Sequence, residues 1–417
     1  MDLAAKLKPH VGSAWIRAIL SDVVRTPSVT GEEDAAQEYV AKLLADLGGQ
    51  VDTWRPDVPA LEKERGYPGA RVSTSRLNVV TTFAGGGGGP TLILNGHIDT
   101  VTPGDESRWT HPPYSAAQVG DRLYGRGAAD MKGGLVAAIG AVRAVRQSGL
   151  RLKGSVQVQS VIGEEDGGLG AFAALQRGHR GDAVIVCEPT ALAIVPGHAG
   201  VTIFRITVPG RAAHGCVREE GVSAFERFLP IHSALKTLEE ERNRALRHPL
   251  YEGIRLPWPL SIGIVQAGIW PAIVPERLVC EGRIGVAVGE PVAAARRQLE
   301  LTVAQAASAD PWLREHPPTV EWVGGTWQGT ATDPAHPLVQ MLSRVVGATT
   351  GRRPAVHGAT YGSDLRLFTN DFGIPGVLFG PGDIRLAHFT DEYVSMTEVE
   401  TASLALAVTI AEYCGVE

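Results

Sequence analysis

Thr91-Leu-Ile-Leu-Asn-Gly-His97-Ile-Asp99 joins an apolar run of strand character to two polar side chains at its carboxyl end. Four later segments repeat this arrangement and add the candidate ligands Asp130, Glu164, Glu165, Glu188 and His388. In an open α/β sheet, polar groups just past the carboxyl ends of the strands converge in one crevice. We therefore expect two histidines and several carboxylates to meet at one edge of a buried sheet, as a metal site requires.

Length and composition favour a globular protein of two domains. The chain has 417 residues, of which 44% are hydrophobic and 20% charged. Its net charge of -6 is spread along the sequence, which argues against nucleic acid or an anionic membrane as partner. The first residues contain no apolar signal core and no apolar run approaches the ~20 residues of a membrane span, so we expect a cytoplasmic protein.

The order of elements up to residue 195 is typical of an α/β domain. Predicted strands at 155–163 and 183–187 alternate with predicted helices after Asp130 and near 169–178. This alternation predicts a mainly parallel sheet with helices on both faces. The segment Ser28-Val-Thr-Gly-Glu-Glu33 resembles a helix start, with the serine or the threonine as its cap.

From residue 196 the pattern changes to the β-α-β-β-α-β order of a ferredoxin-like α+β sandwich with an antiparallel sheet. The apolar face of its first helix is predicted to comprise Phe225, Phe228, Leu229, Ile231, Leu235 and Leu238. The β/α character returns after about residue 330 and ends in a helix at 397–412. We therefore predict a discontinuous catalytic domain, residues 1–195 and 328–417, around an inserted domain at 196–327.

The residue types at the strand ends suit hydrolytic metal chemistry. One ring nitrogen of His97 could bind a metal ion while Asp99, two residues on, orients the ring. Asp130 lies in a glycine-rich loop and could bridge two ions, and the adjacent Glu164 and Glu165 face different ways. Two zinc ions about 3.5–4 Å apart would polarise a carbonyl and lower the pKa of a water. Mixed histidine and carboxylate ligation favours zinc, for which cobalt or manganese could substitute.

Five motifs, in order and spacing over nearly the whole chain, resemble the M20 metallopeptidase family, and within it the branch of acetylornithine deacetylase and succinyl-diaminopimelate desuccinylase. The motifs are Gly96-His-Ile-Asp-Thr-Val101, Gly125-Arg-Gly-Ala-Ala-Asp-Met-Lys-Gly-Gly134, Glu164-Glu165, Cys187-Glu-Pro-Thr190, and Ala387-His388 followed by Asp391-Glu392.

The resemblance implies a role for each candidate ligand. His97, Asp130 and Glu188 would hold one zinc ion. Asp130, Glu165 and His388 would hold the other. The resemblance further implies that Glu164 is the general base, that Asp99 is the acid beside His97, and that the peptide bond after Asp130 is cis.

The same resemblance makes the inserted domain a lid and dimerisation domain. His214, in Gly210-Arg-Ala-Ala-His214, would stabilise the tetrahedral oxyanion, often in the site of the partner subunit. Arg283 matches an arginine that clamps a substrate carboxylate, although a surface strand arginine is an equal alternative. Ser363 lies in a segment that resembles a substrate-side loop, in which Asp364 could be structural.

Three positions depart from the family pattern, so the resemblance does not determine which substrate the pocket binds. Ala272 and Ser223 stand where relatives commonly have asparagine, and Cys216 is unusual beside the lid histidine. The four cysteines lack the paired spacing of zinc or redox motifs, so we expect reduced thiols.

Together these features predict a dizinc hydrolase that removes an N-acyl group, of acetyl, succinyl or formyl type, from a small amino acid or diamine. Its partner would be this small molecule, and a homodimer through the lid domain is expected. Two alternatives remain open: a dipeptidase or carboxypeptidase of the same architecture, and a binding protein that keeps the fold without catalysis.

Overall fold

A computed structural model describes residues 2–69, 72, 74 and 76–417. The chain forms two compact units. The first comprises the residues up to Gly197 with Ala331–His357 and Ser363–Glu417, and the second comprises His198–Thr330 and Gly358–Gly362. These boundaries differ by a few residues from the predicted ones. The sequence did not indicate that 358–362 join the second unit, where the carbonyl of Ala359 accepts hydrogen bonds from Ala199 N and Tyr251 Oη, both at 2.8 Å.

The described residues form strands and helices along the whole chain. The strands are β1 (Gln50–Trp54), β2 (Asn78–Phe83), β3 (Thr91–His97), β4 (Ala117–Val119), β5 (Arg122–Tyr124), β6 (Ser155–Val161), β7 (Ala183–Val186), β8 (Ile194–His198), β9 (Gly200–Pro209), β10 (Leu260–Ala267), β11 (Arg277–Val286), β12 (Thr319–Trp327), β13 (Thr330–Ala331), β14 (Val356–Ala359), β15 (Gly376–Leu378) and β16 (Tyr393–Ser395). The helices are α1 (Leu3–Val11), α2 (Ser13–Arg25), α3 (Asp34–Asp46), α4 (Val58–Leu61), α5 (Gly133–Gln147), α6 (Leu169–Gln176), α7 (Ala224–Ala245), α8 (Val292–Ser308), α9 (Pro311–Glu315), α10 (Pro337–Thr350) and α11 (Met396–Cys414). Among the described residues, no helix combines the length and the apolar character that a bilayer crossing requires.

The first unit is built on a large mixed sheet in the order β1-β2-β6-β3-β7-β15-β8-β13, with β14 beside β8. The four central strands, β6, β3, β7 and β15, run parallel, as the alternating sequence pattern predicted. The flanking strands β2 and β8 are antiparallel to their inner neighbours. Helices α5 and α11 pack on β3 and β6, while α3 packs on β1 and β2 and α6 on β2 and β6.

A second, three-stranded antiparallel sheet in the order β16-β5-β4 joins distant parts of the first unit. Tyr393 of β16 pairs with Tyr124 of β5, and the next residue, Gly125, donates its N–H to Glu392 O at 2.8 Å. This pairing brings the segment that contains His388 beside the glycine-rich loop that contains Asp130.

The predicted helix cap at Ser28 or Thr30 is wrong. Helix α3 begins at Asp34, and its N-cap residue Glu33 makes no side-chain cap hydrogen bond. The hydroxyl of Ser28 instead donates to Ile98 O at 2.7 Å, and that of Thr30 donates to Asp99 Oδ2 at 3.0 Å. Both hydroxyls therefore bind groups at the end of β3, and they do not cap α3 as the sequence pattern suggested.

The second unit contains a four-stranded antiparallel sheet in the order β10-β11-β9-β12, packed against α7 and α8. The chain order β9-α7-β10-β11-α8-β12 is the predicted ferredoxin-like order, with the short helix α9 added. The predicted apolar face of α7 is only partly correct. Phe228, Ile231 and Leu235 are buried, but Phe225 and Leu229 are 48% and 49% exposed on another side of the helix.

Helix α5 approaches the sheet so closely that its first turn requires glycine. A Cβ atom added at Gly134 would lie 1.7 Å from the carbonyl oxygen of Cys187. We predict that Gly134→Ala lowers the free energy of unfolding by about 3 kcal/mol or more, since a backbone carbonyl cannot move aside as a side chain can. Thermal melting should show the loss, whereas Gly263→Ala, whose Cβ would meet no atom within 4 Å, should melt like the wild type.

Candidate metal centre

The strand register brings three of the candidate segments to one edge of the sheet. His97, the last residue of β3, pairs with Val161 of β6, and Asn95 pairs with Val186 of β7. Glu164 therefore follows one neighbour of β3, and Glu188 follows the other. This edge is the carboxyl end of the parallel strands, where the sequence pattern placed the site.

Asp130 lies between the two histidines. Its Oδ1 is 3.2 Å from His97 Nε2, and its Oδ2 is 3.6 Å from His388 Nε2. His388 Nε2 is also 3.0 Å from Glu165 Oε1. One ligand atom from each of His97, Asp130 and Glu165 lies within 4.8 Å of the others. A carboxylate that bridges two ions would need this placement of its two oxygens.

The ring of His97 is oriented by the main chain of Asp99 and not by its carboxylate. His97 Nδ1 is 2.9 Å from the carbonyl oxygen of Asp99, while the nearer carboxylate oxygen is 3.6 Å away. Because a carbonyl oxygen can only accept, Nδ1 carries a proton in this hydrogen bond, and Nε2 is the nitrogen that can offer a lone pair once its own proton has left. The free lone pair on the side of Asp130 is the one that a metal ion would use.

The carboxylate of Asp99 holds the turn that carries the two glutamates. Its Oδ1 accepts from the backbone N–H of Glu164 at 3.1 Å, and its Oδ2 accepts from that of Glu165 at 3.2 Å. The Thr30 hydroxyl donates to Oδ2 as well, and the carboxylate is fully buried. Asp99 thus links the end of β3 to the turn after β6 through two hydrogen bonds, and to the segment before α3 through the third.

Glu392 and Arg126 form a second supporting group, whose role the sequence did not reveal. Glu392 Oε1 accepts from the backbone N–H groups of Ala129 and Asp130, at 2.9 and 3.1 Å. Arg126 Nη1 donates to Glu392 Oε2 at 2.6 Å and to the carbonyl of Phe389 at 3.2 Å. Both residues stand within the quoted motifs, but their spacing alone gives no reason to pair them.

Burial raises the pKa of Glu164 and that of Glu188 well above the usual value for glutamate. The next cause is the charge of Asp364 for Glu164 and that of Asp130 for Glu188. Burial also raises the pKa of Asp364 to about 7. Within the described part of the chain, Glu164 Oε1 and both carboxylate oxygens of Asp364 are buried without a hydrogen-bond partner.

The two imidazoles hold protons that face the carboxylates of Asp130 and Glu165. Burial lowers the pKa of His97, but the hydrogen bond to Asp130 and the charge of Asp99 outweigh it and raise this pKa well above its usual value. Burial likewise opposes the change at His388, where the hydrogen bond to Glu165 raises the pKa to about 9. Divalent cations release such protons when they bind, because a nitrogen ligand must be neutral. The donor set of imidazole nitrogens and carboxylate oxygens therefore fits zinc, cobalt or manganese.

The peptide bond between Asp130 and Met131 is cis, as the resemblance implied. Ser363, proposed for substrate binding, is fully buried, and its Oγ accepts from Leu365 N at 3.2 Å. His388 adopts a left-handed backbone conformation with φ 62°, which is uncommon outside glycine and occurs at functional sites.

The remaining predicted residues belong to the second unit. Arg283 donates through Nη2 to the carbonyl of Thr360 at 3.1 Å. Ser223 caps α7, since its Oγ accepts from Glu226 N at 3.3 Å. His214 is exposed, and its Nδ1 accepts from Cys216 N at 3.2 Å.

Comparison with known proteins decides the family. Residues 93–412 match the pattern of peptidase family M20/M25/M40. The chain belongs to this family. As an M20 protein it is a hydrolase, and the resemblance drawn from its motifs is confirmed at the level of the family, although not for the branch of acetylornithine deacetylase.

Curated relatives of this M20 hydrolase include deformylases. The chain is 30% identical over 412 residues to N-formyl-4-amino-5-aminomethyl-2-methylpyrimidine deformylase from Halalkalibacterium halodurans, covering 93% of this chain and 91% of the relative. It is 28% identical over 407 residues to the protein of the same description from Bacillus subtilis, covering 91% and 89%. Human carnosine dipeptidase 1 has a similar fold, with a TM-score of 0.79 and 16% identity over 99% of both chains.

Asp99→Asn tests the link between β3 and the glutamate turn. The amide keeps one acceptor oxygen but turns an NH2 group toward a backbone N–H, so the turn carrying Glu164 and Glu165 should shift. We expect metal affinity to fall about 10- to 100-fold, as for other residues that orient metal ligands. Competition with a chromophoric chelator measures this affinity. Thr30→Val, which removes a single donor to the same carboxylate, should have a smaller effect, and unchanged affinity in Asp99→Asn would contradict the role given to Asp99.

His388 should make the stability of the metal-free protein depend on pH. Its pKa of about 9 in the folded chain exceeds the ordinary 6.5, so the folded state binds this proton more tightly than the unfolded state does. The resulting stabilisation is complete below pH 6.5 and is lost as the pH rises through about 9. We expect the difference in melting temperature between wild type and His388→Asn, both in chelator, to shrink over this range. A difference that grows with pH would show that the pair with Glu165 is absent.

Proposed function

We propose that this M20 hydrolase is a metal-dependent deformylase that cleaves the N-formyl amide of a small amine. The observation that carries the proposal is the group formed by His97, Asp130, Glu165 and His388, with Glu164 beside it on the same turn. In this proposal His97, Asp130 and Glu188 hold one ion, and Asp130, Glu165 and His388 hold the other. Zinc suits these donors best.

Glu164 is proposed as the general base. It is buried at the edge of the sheet, its Oε1 has no partner among the described residues, and Asp99 fixes its backbone. Two cations bound here would polarise the amide carbonyl and bring the pKa of Glu164 down from its raised value. Glu164 would take a proton from the attacking water and return it to the nitrogen of the leaving amine.

His214 and Arg283 are proposed as the contributions of the second unit. His214 would donate a hydrogen bond to the oxyanion that forms as water adds to the carbonyl. Arg283 would clamp a carboxylate where the substrate carries one, for which its guanidinium has the right shape, and would donate to a neutral acceptor of an aminomethylpyrimidine. Burial lowers the pKa of Arg283, but an arginine stays protonated at any physiological pH.

The formyl group is favoured over acetyl or succinyl by the relatives alone. The two deformylases match this chain at 28% and 30% identity over nearly its whole length, whereas the dipeptidase supports only the fold. A small heteroaromatic methylamine, N-formylated, is therefore the first substrate to test. A departure from the acetylornithine deacetylase pattern at Ala272 and Ser223 agrees with a different amine.

A substrate panel tests the proposal directly. The enzyme is purified, stripped of metal and reconstituted with zinc, cobalt or manganese. Initial rates are then measured on an N-formyl aminomethylpyrimidine, on N-acetylornithine, on N-succinyl-diaminopimelate and on dipeptides. We expect the formamide to give the highest kcat/KM. Preference for dipeptides would establish the peptidase alternative, and no hydrolysis of any amide would support a binding protein.

Glu164→Gln should keep both metal ions and lose most of the activity. Since an amide cannot carry the proton, we expect kcat to fall about 10²- to 10⁴-fold. Metal content by elemental analysis should match the wild type, because Glu164 is not a proposed ligand. Glu240→Gln, on the exposed side of α7, is the matched control. Turnover near the wild-type rate in Glu164→Gln would remove Glu164 as the base.

We also propose that the second unit mediates a homodimer. In the described chain β10 is the last strand on one side of its sheet, and Ile264 and Val265 of this strand are about half exposed. Such an edge is stable in water when another strand or chain covers it. Val265→Glu on the exposed strand β10 should shift the mass measured by light scattering from dimer to monomer. Leu301→Glu, on the similarly exposed face of α8, should leave the dimer intact, and a monomeric wild type would refute the proposal.

A further inference from the structure

His214 and Cys216 form a compact pair on the surface of the second unit. Both side chains are exposed, and they flank Gly215 at the start of a short helical turn, Gly215–Glu220. His214 Nδ1 accepts a hydrogen bond from the backbone N–H of Cys216 at 3.2 Å, and the Cys216 Sγ lies 2.9 Å from the same nitrogen. Cys216 thus places both its backbone N–H and its thiol next to Nδ1 of the imidazole.

The backbone contact fixes where the protons of this pair reside. A backbone N–H can only donate, so Nδ1 must offer its lone pair and the proton of the neutral ring is on Nε2. The thiol then has to donate to Nδ1 as well, since both Sγ and Nδ1 cannot be acceptors at 2.9 Å. A thiolate would require an N–H at Nδ1, which would point at the backbone N–H of Cys216 only 3.2 Å away.

Hydrogen bonds hold the main chain on both sides of His214, so only its imidazole ring can move. Gly215 N donates to Ala272 O at 2.7 Å, and Val274 N donates to Ala213 O at 2.9 Å. The residues on both sides of His214 are therefore paired with the segment that follows β10. What remains free is rotation of the His214 side chain, and the two donors of Cys216 restrict this rotation.

We propose that Cys216 is a positioning residue: its thiol, together with its backbone N–H, keeps the proton of His214 on Nε2 and holds this N–H facing away from the Cys216 side. The consequence for the reaction rests on the proposed function, in which Nε2–H of His214 donates to the oxyanion. An oxyanion donor must be in place before charge develops, because reorienting it during the reaction costs rate. Cys216 thus supplies the restraint from within the same turn.

Cys216→Val and Cys216→Ser distinguish the effect of the thiol as a hydrogen-bond donor from the effect of its size. Valine fills similar space without a donor, and serine restores one. We expect kcat on the N-formyl substrate to fall about three- to tenfold in Cys216→Val, the usual worth of one hydrogen bond, with KM little changed. Cys216→Ser should recover most of kcat. Equal kcat in the wild type and Cys216→Val, or equal loss in both variants, would overturn the proposal.

Nitrogen NMR of the imidazole rings tests the pair without any substrate. His214 resonances are assigned by their disappearance in His214→Asn, and the two ring nitrogens report which one carries the proton. We expect the Nε2–H tautomer in the wild type and in Cys216→Ser, and altered ring shifts in Cys216→Val. An Nδ1–H tautomer in the wild type would overturn the proposal. If no amide is hydrolysed, the proposed function fails, but this measurement still decides whether Cys216 positions His214.

Discussion

The negative charge buried at the carboxyl edge of the central sheet has to be balanced. The arrangement of the loops at this edge of the first unit depends on this balance. Asp130, Glu164, Glu165 and Glu188 gather there, where water cannot solvate them well. An unpaired buried carboxylate is costly, and such groups either pick up a proton or meet a cation. The raised pKa values of the glutamates and of both histidines describe the first solution. A pair of divalent cations would provide the second, and it would leave the carboxylates ionised and able to act.

Two further carboxylates near this edge accept hydrogen bonds from the backbone and are not proposed ligands. Asp99 accepts two N–H groups from the glutamate turn, and Glu392 accepts two from the loop of Asp130. Each therefore fixes a ligand-bearing loop through main-chain atoms, which do not depend on side-chain rotamers. A displacement of either loop would change the distances at the site even though no ligand had been replaced. The acidic residues at this edge thus divide into proposed metal ligands and carboxylates that support the loops carrying them.

Much of this arrangement could be predicted from the sequence, because strand ends and ligand types are local properties. The apolar run before His97 and the adjacent Glu164 and Glu165 were sufficient to place the site at the edge of a parallel sheet. The partners of Asp99 could not be predicted, because the sequence does not specify which N–H groups a carboxylate meets across strands. Ser28 matched a local capping pattern, but its hydroxyl donates to the carbonyl of Ile98, which is distant in sequence. Phe225 and Leu229 fitted a helical apolar face. They are nevertheless exposed, because a side chain of α7 is buried only where another element packs against its side of the helix.

The position of His388 in the chain has a consequence for how the protein matures. A nascent polypeptide leaves the ribosome with its amino end first, and domains begin to fold as they emerge. Glu188 and the proposed ligands before it are synthesised early, whereas His388 follows the whole second unit. Until that late imidazole arrives, the emerging polypeptide carries acidic groups that lack one of their two nitrogen partners. With the proposed ligands, loading of the second cation would wait for the end of translation, and a prematurely terminated product would be unable to assemble the complete pair.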